Sequence, residues 1–232
     1  MPTDQTPSMS EEVGEKLHEL AAEVKPHLRG WLHAAVMPLA VAGGVVLVAL
    51  SPTTGTRIAA AVFMLTARLL FGVSAIYHTG TWTPRTKERL KRFDHANIFL
   101  LIAGSYTPFA MLLLDPRDAA VLLILVWSGA VLGVAFRVFW LGAPRWLYVP
   151  VYIALGWAAV FWMPAFADNA SIAVLTLLIV GGGLYSLGAV VYGFKRPNPA
   201  PNWFGFHEIF HTFTIAAFTS HYIGISLAAY QM

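Results

Sequence analysis

Seven apolar segments, each close to twenty residues long, follow one another between residues 32 and 230. They lie at about 32–50, 57–78, 94–114, 119–140, 146–166, 171–194 and 206–230. An α-helix of about 20 apolar residues crosses the roughly 30 Å of hydrocarbon in a bilayer. The sequence therefore predicts an all-α integral membrane protein, folded as a bundle of seven transmembrane helices.

Composition supports this class and excludes others. Hydrophobic residues make up 57% of the chain and charged residues 12%, which is about half the charged share of a soluble domain. The net charge of +3 is small, and the basic residues are concentrated in particular loops, so we expect no nucleic-acid partner. Because the chain has no cysteine, any metal ion must be held by histidine, carboxylate or water.

Two regions follow from the pattern: a cytoplasmic tail at 1–30 and a transmembrane domain at 31–232. In the tail, Ser8 and Glu11 form a capping-box pattern before apolar residues at helical spacing. This pattern predicts an amphipathic helix at the membrane surface, with a solvated, partly helical tail as the alternative. In the fifth segment, Pro150 and Pro164 are expected to kink or end the helix, and Gly181 to Gly183 in the sixth favour close helix packing.

The basic residues predict the orientation of the bundle. Twelve of the 15 lysines and arginines fall in the N-terminal tail and beside the second, fourth and sixth loops. The opposite side has Arg57 and Arg117, and Arg68 lies inside the second segment. Lysine and arginine accumulate in cytoplasmic loops. We therefore expect a cytoplasmic N-terminus, an external C-terminus and a multi-pass location in the cell (inner) membrane.

This orientation brings several chemically active side chains to the cytoplasmic ends of three segments. His78 ends the second segment, Asp94 opens the third, and His207 and His211 open the seventh, four residues apart on one helix face. Three imidazoles with one open position are typical of a catalytic zinc site. Asp94 is predicted to accept a proton from the activated water, and Ser74, one turn before His78, to hydrogen-bond that water or an oxyanion.

Two features of this constellation have other interpretations. Asp94 is also a residue type that favours a helix N-cap. The sequence HEIFH matches the H-E-x-x-H pattern of metalloproteases, in which Glu208 would be the general base. An acid in the first turn of a helix is also favoured by the helix dipole. We prefer Asp94 as the base.

The sequence indicates less about the roles of several other residues. His221 lies about 15 Å beyond His211 along the helix, too far to be a ligand, and is interpreted as a packed or outward-facing side chain. His33 has no evident partner in the sequence. Arg68 is expected either to bind a lipid carboxylate or carbonyl group or to cap backbone carbonyls within the bundle. A set of aromatic residues near segment ends is predicted to anchor the helices at the membrane interface: Trp31, Trp82, Trp146, Tyr148 and Trp203.

Four stretches resemble the bacterial hemolysin III family: SAIYH at 74–78, KRFDHANIFLLIAGSYTPF at 91–109, LGW at 155–157 and FHEIFHTFTIAAFTSHY at 206–222. That family is related to the progestin and adipoQ receptors, including the adiponectin receptors, and to alkaline ceramidases. The resemblance implies seven helices with zinc near the cytoplasmic face, held by His78, His207 and His211. It also implies that Asp94 holds the zinc-bound water and that Ser74 is the accompanying serine.

The resemblance implies lipid-amide hydrolysis by analogy with the ceramidases. We therefore expect a zinc-dependent hydrolase of a lipid amide or ester, with a role in membrane homeostasis and membrane lipids as substrates or ligands. The first alternative is a receptor-like or sensor protein whose zinc is structural. A pore-forming cytolysin and an intramembrane metalloprotease are ranked below these two. The sequence does not reveal the oligomeric state.

Overall fold

The computed structural model describes residues 26–231, and this part of the chain is helical throughout apart from its connections. The predicted tail helix, at residues 8–28 and stopped near Pro26, lies outside the described part except for residues 26–28, which are not helical. We number the α-helices α1 to α8 in chain order: Trp31–Leu50, Thr54–Thr79, Pro84–Leu113, Pro116–Phe139, Arg145–Gly156, Met163–Asn169, Ile172–Phe194 and Phe206–Tyr230. A 3₁₀-helix, Ala158–Trp162, connects α5 to α6.

Several helices begin at residues that cap the free N–H groups of the first turn. The side chains of Thr53, Thr83 and Ser171 each accept a backbone N–H at the start of α2, α3 and α7. Asp115 accepts two such N–H groups at the start of α4. Proline follows the cap at the start of α3 and α4, where its fixed φ suits the first helical position. These local signals mark where the helices begin, and most observed ends lie within a few residues of the predicted ones.

Within residues 26–231, six spans are long and apolar enough to cross a membrane: α1, α2, α3, α4, the combined stretch Arg145–Asn169, and α7. The protein is therefore a multi-pass membrane protein by its helix composition. The 25-residue helix α8, which carries three histidines, is not among these six spans, and its place as a seventh crossing stays a prediction. Helix α3 is central, since 72% of its apolar window is buried, against 17% for α7.

The third helix begins earlier in the chain than the sequence predicted. The basic stretch between the second and third segments was expected to be a loop ending near residue 94, whereas α3 begins at Pro84. The basic residues occupy its first three turns and extend beyond the apolar part of the helix. Asp94 therefore lies inside α3, and its interpretation as an N-cap is wrong.

The glycine prediction is correct at one position of three. A Cβ atom added at Gly181 would lie 2.2 Å from Cδ2 of His221, so α7 and α8 require glycine there. Gly182 and Gly183 have open space at the corresponding position and are not needed for packing. In the fifth segment, α5 continues through Pro150 and ends at Gly156, and Pro164 lies in the first turn of α6, so neither proline ends a helix.

Candidate metal centre

Three histidines from two helices converge at one end of the bundle. His78 lies in the last turn of α2, and His207 and His211 lie in the first two turns of α8. Each has a ring nitrogen within 4.8 Å of the corresponding nitrogens of the other two. The Nε2 atoms of His78 and His207 are 3.2 Å apart. The prediction that these residues meet is confirmed.

The separation between these nitrogens fits a bound metal ion. Around a tetrahedral zinc ion with Zn–N bonds of about 2.0–2.1 Å, two ligating nitrogens are roughly 3.3–3.4 Å apart. The 3.2 Å between His78 and His207 is close to this value. His78 and His211 are buried and His207 is partly buried, so water competes little for their lone pairs. The three imidazoles could therefore hold a metal ion.

Asp94 and Ser74 lie beside the histidines. Asp94 Oδ2 is 3.7 Å from His78 Nε2, and the Asp94 side chain is largely buried. The Ser74 hydroxyl lies near the Asp94 carboxyl group and has no hydrogen bond of good geometry among the described residues. One largely buried carboxylate and one buried hydroxyl thus face the same cavity as the imidazoles of His207 and His211.

The turn formed by residues 26–30, here called the N-terminal turn, packs across the helices that carry the three histidines. His27 N–H donates to Asn202 O at 2.9 Å, and the His27 ring packs on Trp203. Gly30 has φ +87°, and a Cβ atom added there would lie 2.6 Å from Cβ of His78. Only glycine accommodates both this backbone conformation and this close approach. The N-terminal turn therefore holds α2 and α8 together at the candidate metal centre.

Glu208 is bound by groups that fix the start of α8. Its Oε2 accepts the Gly205 N–H at 2.8 Å, and its Oε1 accepts from Arg29 Nε at 2.9 Å. The carboxylate is fully buried and is not among the residues lining the cavity at the metal centre. This arrangement favours the capping role over the metalloprotease base. Glu208 therefore fixes the start of the helix that carries His207.

His33 belongs to the centre and was missed in the sequence. Its ring stacks on that of His211, with centroids 3.9 Å apart and an interplanar angle of 16°, and it also makes an edge contact with the Phe71 ring. His33 is buried, and neither ring nitrogen has a hydrogen-bond partner among the described residues. The sequence signal that could have identified His33 is its position inside an apolar segment. An ionisable residue in a membrane span indicates a functional site by default.

His95 lies in a cluster of aromatic side chains beside the metal centre and lines the same cavity as Asp94. Its Nδ1 accepts from Nη2 of the fully buried Arg137 at 2.8 Å. The Arg137 guanidinium lies 4.2 Å from the centroid of the Tyr148 ring, a cation–π contact. Tyr148 is therefore an interior residue, and its prediction as an interface anchor is wrong. The four predicted tryptophan anchors are exposed.

Arg68 contacts backbone rather than a side chain. Its Nη2 donates to Val41 O of α1 at 3.3 Å, and Gly44 leaves room for the guanidinium. The Arg68 Nε is buried without a partner among the described residues. Of the two sequence interpretations, the structure favours the capping of backbone carbonyls.

A cavity extends from the metal centre between α3, α5, α7 and α8. His207, His211 and Asp94 lie at one end, and His221 and Tyr185 also line it. Most of its lining is apolar, and some lining residues are exposed on the outer surface of the bundle: Trp157, Val160 and Ile179. The cavity therefore opens sideways onto the surface that faces lipid.

Comparisons with known proteins match this chain to one family. The model of the family described as "Haemolysin-III related" matches residues 22–222. The chain is 33% identical to the Hemolysin-3 homolog of Bacillus subtilis over 154 residues, which cover 66% of this chain and 69% of the relative. It is 29% identical to Hemolysin-3 of Bacillus cereus over 144 residues, covering 62% of this chain and 65% of the relative.

A more distant similarity extends to a eukaryotic receptor. The chain is 29% identical to the adiponectin receptor protein of Drosophila melanogaster over 197 residues. The aligned region covers 77% of this chain and 44% of the receptor. The resemblance noted in the sequence is confirmed at the level of the family.

Proposed function

The chain belongs to the haemolysin-III-related family, and on this basis we propose that it is an integral membrane hydrolase that uses zinc to cleave an amide or ester bond of a lipid. One observation carries the proposal. A buried carboxylate lies 3.7 Å from one imidazole of a three-histidine cluster, at the end of an apolar cavity that opens towards lipid. Such a cavity suits an acyl chain, and the polar end suits the bond to be cleaved.

We further propose that α8 is the seventh crossing and that the metal centre lies at the cytoplasmic face of the inner membrane. The bias of lysine and arginine supports this orientation. The basic first turns of α3, just before Asp94, then lie at the anionic surface of the cytoplasmic leaflet.

His78, His207 and His211 would hold the zinc ion, since three neutral imidazoles with an open position form a hydrolytic zinc site. A zinc ion held there would supply Lewis-acid polarisation and would lower the pKa of a bound water towards neutrality. Asp94 takes up the proton released as water attacks the lipid carbonyl and passes it to the leaving group. The Ser74 hydroxyl donates a hydrogen bond to the carbonyl oxygen as negative charge develops on it.

The test separates metal binding from turnover. Purified protein is assayed for metal content and for hydrolysis of a panel of lipid amides and esters in micelles. We expect His211→Ala to lose metal and turnover, and Asp94→Asn to keep metal while losing about 10²- to 10⁴-fold in turnover. Asp168→Asn, the same change at an exposed position of α6, is the matched control. Full turnover by Asp94→Asn or by metal-free protein would refute the proposal.

The similarity to the adiponectin receptor favours a second candidate, a receptor-like or sensor protein with structural metal. In that case wild-type protein would hold stoichiometric metal and bind lipid but hydrolyse no member of the panel. The names of the two bacillar relatives suggest cytolysis. Leakage of dye from liposomes by the purified protein, at the same level in His211→Ala, would indicate pore formation instead.

A further inference from the structure

The cavity has a second polar region far from the metal centre. His221 lies on the same helix as His211 and ten residues beyond it, which places it about 15 Å further along the axis. Both histidines line the same cavity. A ligand that fills the cavity therefore meets polar groups at both ends.

Hydrogen bonding fixes the tautomer of His221. Its Nε2 is 3.2 Å from the carbonyl oxygen of Leu178, and a carbonyl oxygen can only accept. Nε2 therefore carries the hydrogen, and Nδ1 has a free lone pair. The residue is 6% exposed, and its Nδ1 is buried with no partner among the described residues. A buried acceptor without a donor is unfavourable unless a ligand or water supplies the hydrogen.

The neighbouring helix is shaped to admit this ring. A Cβ atom at Gly181 would lie 2.2 Å from Cδ2 and 2.4 Å from Nε2 of His221. The missing side chain lets the imidazole rest against the backbone of α7 and reach the Leu178 carbonyl. His221 is thus held in one orientation, in which Nδ1 remains available.

Tyr185 provides a second unmatched group beside it. The Tyr185 and His221 ring centroids are 5.5 Å apart, and the Tyr185 hydroxyl is buried without a hydrogen-bond partner among the described residues. Nearby hydroxyl groups behave differently, since Thr214 and Ser186 donate to backbone carbonyls of their own helices. The two unmatched groups therefore belong to neighbouring residues that line one cavity.

We propose that His221 and Tyr185 form a subsite that recognises a hydroxyl group on the chain of a bound lipid. A hydroxyl can donate to Nδ1 of His221 and at the same time accept from the Tyr185 hydroxyl. A keto oxygen can only accept and would leave Nδ1 unpaired. The proposal rests on the proposed function in one respect: it takes a lipid chain as the occupant of the cavity.

The position of the subsite predicts where the hydroxyl lies. With the carboxyl or carbonyl group at the metal centre, a separation of about 15 Å along α8 corresponds to roughly 12 carbon atoms of an extended chain, because each bond of about 1.5 Å advances the chain by about 1.2 Å. A hydroxyl halfway between the metal centre and the subsite would instead lie against apolar side chains and lose its hydrogen bonds to water.

The test measures binding without turnover. Stearic acid, 12-hydroxystearic acid and 6-hydroxystearic acid compete with a fluorescent fatty acid for the metal-loaded full chain in nanodiscs. We expect 12-hydroxystearic acid to bind about tenfold more tightly than stearic acid, since it adds two hydrogen bonds to groups that are already desolvated. The 6-hydroxy isomer should bind more weakly than stearic acid.

Two variants remove one group each and retain the packing. Tyr185→Phe loses only the hydroxyl, and His221→Gln keeps an N–H for Leu178 O but loses the Nδ1 lone pair. Each should reduce the preference for 12-hydroxystearic acid to about threefold or less, with stearic acid binding unchanged. Tyr230→Phe, at an exposed position, is the matched control and should keep the full preference.

Equal affinity of wild-type protein for stearic and 12-hydroxystearic acid would overturn the subsite, as would a preference that survives both substitutions. These outcomes are distinct from a failure of the proposed function. A protein that hydrolyses lipids without preferring the hydroxylated chain lacks the subsite but remains a hydrolase. A protein that prefers the hydroxylated chain and hydrolyses nothing has the subsite without the enzyme.

Discussion

Removal of the Glu208 carboxylate tests whether this residue is a structural cap or a general base. Glu208 is fully buried and binds Gly205 N–H and Arg29, whose side chain is 24% exposed. In Glu208→Ala the lost cap costs about 1 kcal/mol. Breaking a fully buried ion pair costs about 3–5 kcal/mol, and partial solvation of Arg29 reduces this to about 2 kcal/mol. We therefore expect a loss of about 3 kcal/mol, or a Tm lower by about 6–12 °C.

Glu208→Gln separates the two roles because its amide oxygen still accepts the Gly205 N–H. It should lose about 1–2 kcal/mol of stability while turnover per metal-loaded molecule stays within about threefold, whereas loss of a general base costs about 10²- to 10⁴-fold. Thermal unfolding in detergent, metal content and turnover are measured together. A double-mutant cycle with Arg29→Met should give a coupling energy of about 1 kcal/mol or more. Zero coupling, or a hundredfold loss of turnover in Glu208→Gln, would refute the reasoning.

Two further substitutions test the surroundings of the centre. Gly30→Ala forces a side chain into positive φ and against the His78 backbone at 3.1 Å, so we expect a loss of about 1–3 kcal/mol and faster metal loss to a chelator; unchanged metal retention would show that the N-terminal turn does not position His78. Arg68→Met removes a half-buried cation that has one long hydrogen bond and a buried Nε without a partner among the described residues, so we expect a Tm that is unchanged or higher; a large fall in Tm would indicate that Arg68 binds a lipid group.

The helices were predictable from local chemistry, and the exceptions have physical causes. Apolar length and capping residues place most helix ends within a few residues. The N-terminus of α3 was misplaced because the hydropathy pattern marks where the hydrocarbon begins, whereas Thr83 and Pro84 mark where the helix begins. A helix that extends beyond the membrane satisfies its own hydrogen bonds and needs no apolar side chains there.

The candidate site was predictable to the extent that its residues are polar groups at segment ends. His78, His207 and His211 were found because topology places the ends of different segments at one membrane depth. His33 was not, because its relation to the centre is a stacking contact with His211 between distant helices. Tyr148 was misassigned for a similar reason, since its burial depends on Arg137 of another helix. Such contacts depend on helix rotation, which segment order does not specify.

The two ends of the cavity depend on one another because α8 supplies both. His207 and His211 lie in its first two turns and His221 lies further along, so the rigid helix sets the distance between the cleaved bond and the proposed hydroxyl subsite. Glu208 and Arg29 fix the start of that helix, and Gly181 fixes its contact with α7. A substitution of Glu208 or Arg29 should therefore weaken metal binding. It should not alter which hydroxyl position on the lipid is preferred, because the distance along α8 between His211 and His221 is unchanged.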